Sequence, residues 1–126
     1  MGIGADDFLS FAEKLLSEKT EINYRNAASR SYYAAFHYCL PITELLDKPA
    51  KDGGMHAIVC SKLTESFDQK LKSIGYILQQ CRSIRVRADY ELNQDFSRND
   101  GELSIKLTKK IIERVLELEK KDKDTK

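Results

Sequence analysis

Between Arg25 and Cys39 the chain places Ala27, Ala28, Ser31, Ala34 and Ala35 at three- and four-residue spacings, the repeat that keeps side chains on one side of an α-helix. A stripe of such small side chains lets neighbouring helices approach closely, which makes this segment the central helix of a bundle. Tyr32, Tyr33, Phe36 and Tyr38 occupy the remaining faces together with Arg25, Arg30 and His37. Charged and polar groups therefore emerge beside bulky apolar surface, and the helix is a place to look for function as well as for core.

The flanking segments supply helices to pack around it. Asp6 and Asp7 stand where an N-cap belongs, and Phe8, Leu9, Phe11, Ala12, Leu15 and Leu16 follow with a helical period, predicting a helix over about 6–18. Thr20 offers a fresh cap for the central helix, expected from about Glu21 to Lys48, with a kink or short break at Pro41. Lys48–Gly54 reads as a loop, and His56 to about Ser66 as a short helix. A fourth helix starts near Phe67 on an apolar stripe of Leu71, Ile74, Ile77, Leu78, Cys81 and Ile84, weakened but not ended by Gly75. Asn93–Gly101 reads as a second loop, and the last helix, from about Glu102, would bury Leu103, Leu107, Ile111, Val115 and Leu118. Nothing alternates with period two. The expected fold is all-α, an antiparallel bundle of four to five helices, four long and one short. Residues 1–119 would form one domain and 120–126 a charged flexible tail.

Composition sets the outer limits. At 126 residues, 41% apolar and 33% charged, the chain suits a single core and argues against disorder. Its net charge of +1 conceals concentrations of Lys and Arg at 82–87 and 105–114, so the overall charge neither supports nor excludes a nucleic-acid partner. Cys39, Cys60 and Cys81 are widely spaced and outside any metal-ligand pattern. They read as buried thiols of a reducing compartment, with no metal and no cofactor expected. No run reaches the ~20 apolar residues of a membrane helix, and Met1-Gly-Ile-Gly-Ala lacks the features of a signal peptide, so a cytoplasmic location without membrane contact is expected.

Three separate strings carry a resemblance. Ser29-Arg-Ser-Tyr-Tyr-Ala-Ala-Phe-His37, then His56-Ala-Ile-Val, then Arg85-Val-Arg-Ala-Asp-Tyr-Glu91, in that order and spacing over roughly 6–118, resemble the HEPN domain family, in particular its small stand-alone members with a YYAxF helix and an R-x-ADY helix. The resemblance implies a helical bundle that dimerises. It also implies an RNA- or nucleotide-directed role, with many members metal-independent endoribonucleases acting as toxins or antiviral effectors. Other members bind nucleotides or have lost catalysis, and some sit beside a minimal nucleotidyltransferase, the alternative reading for this chain. Active ribonucleases of the family carry Arg, four to six residues, then His, which supply a cation for the scissile phosphate and a proton-transfer group.

This chain departs from that pattern in its late helix, where Arg85 plus four residues reaches Tyr90. A tyrosine hydroxyl is a poor general base at neutral pH, but it donates hydrogen bonds and its ring stacks on nucleobases. Arg30 and His37 satisfy the spacing instead, seven residues apart and hence on one helical face. The catalytic candidates are therefore Arg85, Tyr90 and His37, and the substrate or phosphate contacts Arg30, Arg87, Asp89 and Tyr33. Several have a plainer reading: His37 as a packing residue, Tyr33 as core or dimer surface, and the Arg85/Arg87 pair as members of intramolecular ion pairs with Asp89 or Glu91. His56, following Gly-Gly-Met, reads as a capping or surface residue at a helix start.

Overall fold

The computed structural model describes residues 2–44, 46 and 53–124, with side chains through 121. Five helices follow in order: α1 (Ala5–Leu16), α2 (Glu21–Thr43), α3 (Met55–Thr64), α4 (Gln69–Tyr90) and α5 (Arg98–Asp124). The all-α bundle is as expected, and α1, 12 residues long, ends at Leu16, the last residue of its apolar period. Among the described residues no helix is long and apolar enough to cross a membrane.

Local chemistry sets the boundaries. At α1 the cap is Gly4, whose N–H donates to the Asp7 carboxylate at 2.8 Å, so the expected capping acid acts from inside the first turn. The Thr20 hydroxyl accepts from the Asn23 N–H at the start of α2, and Asp68 accepts from the Lys70 N–H at the start of α4. The expected break at Pro41 falls in the last turn of α2, which ends at Thr43 rather than Lys48; the loop expected at 48–54 lies outside the described residues apart from Gly53 and Gly54. α5 begins earlier than expected because Ser97 and Asp100 cap each other reciprocally, Ser97 N–H on the Asp100 carboxylate at 2.9 Å and Asp100 N–H on the Ser97 hydroxyl at 3.2 Å. The same helix runs on through Asp124, into the stretch expected as a tail.

α2 packs against all four other helices. Ala27, Ala28, Ala34 and Ala35 are all fully buried, as the small-residue stripe requires, and Tyr32, Phe36 and Cys39 join Val59, Leu63, Ile74, Leu78, Cys81, Ile111 and Val115 in the main core. All three cysteines are buried and free. The stripe of α5 differs from the expected one over 103–108: Leu103 is 47% exposed, and Ser104, Ile105 and Thr108 face inward instead. Ser31 Oγ lies 3.0 Å from both Ser104 Oγ and Thr108 Oγ1, and the Thr108 hydroxyl lies 3.0 Å from the Ser31 carbonyl. Short hydroxyl side chains satisfied by one another keep the α2–α5 spacing small, which a leucine at that register would not allow.

Gly75 plays the same part between α3 and α4. A Cβ there would lie 2.8 Å from both Leu63 Cβ and Thr64 Cγ2 and 2.9 Å from the Thr64 backbone nitrogen. Alanine's better helix propensity is worth about 1 kcal/mol, whereas separating two packed backbones costs about 1–3 kcal/mol. Gly75→Ala is accordingly expected to destabilise the fold on balance, read as a lower urea midpoint; a midpoint raised above wild type would contradict the close approach.

Candidate functional site

α2, α3 and α4 meet around the Arg85 guanidinium. It lies 5.8 Å from the centre of the Tyr32 ring, 5.7 Å from Tyr33 and 5.8 Å from Tyr90, within the range of cation–π attraction. Its Nε is 2.9 Å from Asp89 Oδ2, the oxygen that also accepts from the Ser29 hydroxyl at 3.2 Å. Burial works against the charge of Arg85, but Tyr33, Asp89 and Tyr90 more than offset it, and its pKa stands above the ordinary arginine value. The result is a fixed cation at the edge of the core, beneath a Tyr90 ring that is 69% exposed.

A histidine stands across the same tyrosines. The His56 ring is 5.5 Å from Tyr32, 6.4 Å from Tyr33 and 4.4 Å from Phe36, and its Nδ1 is 2.8 Å from the Tyr32 hydroxyl. Burial holds the Tyr32 phenol protonated far above its usual pKa. Burial, then the charges of Arg85 and Arg82, push His56 below the usual histidine value, so the ring is neutral at neutral pH. When Tyr32 donates to Nδ1, Nε2 carries the proton; when the hydroxyl turns to accept, Nε2 is a base. Arg82 adds a second cation nearby, its Nε buried with no hydrogen-bond partner among the described residues.

The lowered pKa of His56 has a measurable sign. The unfolded chain takes up the proton first as the pH falls through about 6.5, so the folded state binds fewer protons in that window and stability is lost toward acid. The urea midpoint is expected to fall between pH 7 and pH 5, and His56→Gln to flatten that fall; an unchanged profile in the variant would remove His56 as its source.

Arg25 determines where this part of α4 ends. Its guanidinium donates to the carbonyls of Ala88 at 3.0 Å, Glu91 at 3.2 Å and Arg87 at 3.3 Å, and to that of Gln94. It also lies 5.5 Å from the Phe96 ring and 3.7 Å from Glu21, whose carboxylate accepts the Phe96 N–H. The last turn of α4, which carries Asp89 and Tyr90, is thereby tied to α2.

Of the residues expected from sequence, Arg85, Asp89, Tyr90 and Tyr33 share one location. Arg30 touches it through Tyr33, 5.6 Å away, and also lines a cleft of about 360 Å³ with Ile3, Asp7, Phe8 and Phe11. Arg87 is elsewhere, 3.5 Å from Asp100 and 5.7 Å from the Phe96 ring, on a groove along the outer face of α4. His37 is exposed and stacked on Phe8 with ring centres 5.6 Å apart; its charge acts on His56 more weakly than those of Arg85 and Arg82. The histidine sharing aromatic neighbours with Arg85 is thus His56. No periodicity announces it, since its partner Tyr32 is 24 residues away; the one trace is its place in the His56-Ala-Ile-Val string.

Comparison with known families matches residues 4–120 to the HEPN domain. No curated protein and no solved structure matches the chain. A match over nearly the whole length, on a five-helix bundle with no strand among the described residues, makes this chain a member of the HEPN domain family, with the nucleotide- or RNA-related role in general that membership carries.

Proposed function

We propose that the protein is a metal-independent endoribonuclease whose site is built on Arg85 and His56. The observation that carries this reading is one fixed guanidinium and one neutral imidazole held against the same two tyrosine rings, Tyr32 and Tyr33. Arg85 holds the scissile phosphate, and Tyr90, exposed above it, stacks on a nucleobase. His56 Nε2 takes the proton from a 2′-hydroxyl or returns one to the leaving oxygen, the two roles its exchange with Tyr32 makes available. A homodimer acting as a toxin or defence component is the setting in which such an activity belongs. The test is incubation of the full chain with single-stranded and structured RNA in EDTA. Wild type is expected to cleave, and His56→Ala to bind but not cleave; absence of cleavage by wild type at any protein concentration rejects the catalytic reading.

A second reading has its own support. Asp89 already neutralises Arg85 from 2.9 Å, and Tyr90 stands where active members carry histidine. These favour a non-catalytic module that binds a nucleotide or a partner such as a minimal nucleotidyltransferase. RNA or nucleotide binding that depends on Arg85, without cleavage, would select it.

A further inference from the structure

Arg82, Arg85 and Arg87 follow one another along α4, and their surroundings differ. Arg85 is paired with Asp89 at 2.9 Å and Arg87 with Asp100 at 3.5 Å. Arg82 has no such carboxylate among the described residues, and its buried Nε finds no hydrogen-bond acceptor there. A guanidinium carries five N–H donors and keeps its charge at any pH a protein survives, so a partly buried one without acceptors is an unfavourable feature for the fold alone.

Helix register sets where Arg82 stands. α3 and α4 are joined by residues 65–68 alone and run antiparallel, with their closest approach at Gly75, where an added Cβ would come 2.9 Å from the Thr64 nitrogen. From that crossing His56 lies eight residues back along α3 and Arg82 seven residues forward along α4, about 12 Å and about 10 Å of helix, so the two arrive level with each other. Seven residues are nearly two turns, which puts Arg82 on the side of α4 that Gly75 turns to α3; Arg85 and Asp89, further round, face α2. Burial dominates the pKa values of His56, Tyr32 and Cys60, and the charge of Arg82 acts on all three. On its other side Arg82 borders a groove of about 570 Å³ on the outer face of α4, lined also by Gln79, Ser83, Val86, Arg87 and Glu91. Glu91 is the one carboxylate of that lining, and it lies nine residues from Arg82, about 13 Å along the helix axis.

We infer that Arg82 is a second phosphate-binding residue of the site, holding the phosphodiester next to the one at Arg85, with the attached nucleotide in the groove beside Gln79, Ser83 and Val86. Arg82 and Arg85 are neighbours on the helix surface, three residues apart, but one is turned to α3 and the groove and the other to the tyrosines of α2, so they address successive phosphates of a chain and not one phosphate together. The substrate class is then a single-stranded RNA with at least two adjacent phosphodiesters, in preference to a dinucleotide. This inference rests on the Arg85–His56 site proposed above.

The test uses the full chain with UpU and hexauridylate as probes, binding measured over a range of salt and cleavage measured in EDTA. Arg82→Gln, which keeps part of the stem over the core and removes the cation, should weaken hexauridylate about tenfold, leave UpU unchanged and reduce the salt slope for hexauridylate by about 0.7, the share of one phosphate contact on a single strand. Arg82→Lys should keep most of that slope. The urea midpoint of Arg82→Gln is expected to stay near wild type, because no protein acceptor among the described residues is lost with the guanidinium. Equal binding and cleavage of hexauridylate by wild type and Arg82→Gln would overturn the assignment and leave the Arg85–His56 reading standing. A loss of the same size on UpU and hexauridylate would also overturn it, since that is what disturbed packing around His56 would produce. If wild type binds hexauridylate without cleaving it, catalysis is rejected and the binding series still decides Arg82; if wild type binds neither probe, both readings fall.

Discussion

Replacing Arg25 by alanine is expected to lower the unfolding free energy by about 3 kcal/mol or more, a large share of the ~5–15 kcal/mol that holds a domain of this size. The cause is what the guanidinium leaves behind. It is 6% exposed and reaches four carbonyls at and beyond the end of α4, those of Arg87, Ala88, Glu91 and Gln94. A helix end has no intrahelical donor for its last carbonyls. Hydrogen bonds from a charged donor contribute about 1.5–3 kcal/mol each, and unsatisfied buried acceptors cost about 1–3 kcal/mol. Those figures do not add fully, since water enters once the side chain is gone. Glu21, 3.7 Å from Arg25, loses its nearest cation but keeps the Phe96 N–H. Arg25→Lys should recover only part of the loss, because an ammonium lacks the planar fork that spans several carbonyls. Urea unfolding of both variants checks the ranking; a loss below about 1 kcal/mol for Arg25→Ala would mean that solvent or the chain replaces the cap without difficulty.

Arg25 also marks the division between what the amino-acid order makes legible and what it does not. The alanine–serine stripe announced the central helix because burial of small side chains depends only on a spacing along one helix. Thr20 as a cap is equally local, and the reciprocal Ser97/Asp100 cap was hidden only because the stretch around it is rich in turn formers. The exchange of Leu103 for Ser104 and Thr108 on the inner face of α5 was not local. It depends on Ser31, 73 and 77 residues away, offering hydroxyl partners that make polar side chains acceptable at the closest point of contact. Side by side in one string, Arg85 and Arg87 look equivalent. Being two residues apart on a helix, they point to different neighbours, Asp89 and three tyrosines for one, Asp100 and Phe96 for the other. His56 was obscured for the same reason: what makes it chemically interesting is supplied by α2 and α4, and within α3 only the His56-Ala-Ile-Val string hints at it.

Arg85→Ala is the variant expected to separate function from stability most widely. Under the proposed role, the guanidinium is a fixed cation set against Tyr90 and against the two tyrosine rings that His56 also faces, and losing such a group costs roughly 10²–10³ in rate. The fold loses much less. Arg85–Asp89 is a partly exposed pair one turn apart in α4, with side chains 16% and 27% exposed, and pairs of that kind are worth about 0.3–0.5 kcal/mol. Asp89 keeps the Ser29 hydroxyl at 3.2 Å, so the carboxylate does not become an orphaned buried charge. Arg85→Lys should not restore activity, because lysine offers a point charge where the three rings select a planar cation and a phosphate accepts two parallel donors. The measurement is RNA cleavage and binding beside urea unfolding, on the same preparations. A fall of about a hundredfold in cleavage with a stability change near 1 kcal/mol or less is the expected pattern. Equal activity in wild type and Arg85→Ala would make Arg85, like Arg25, an arginine that organises the helices and touches no substrate.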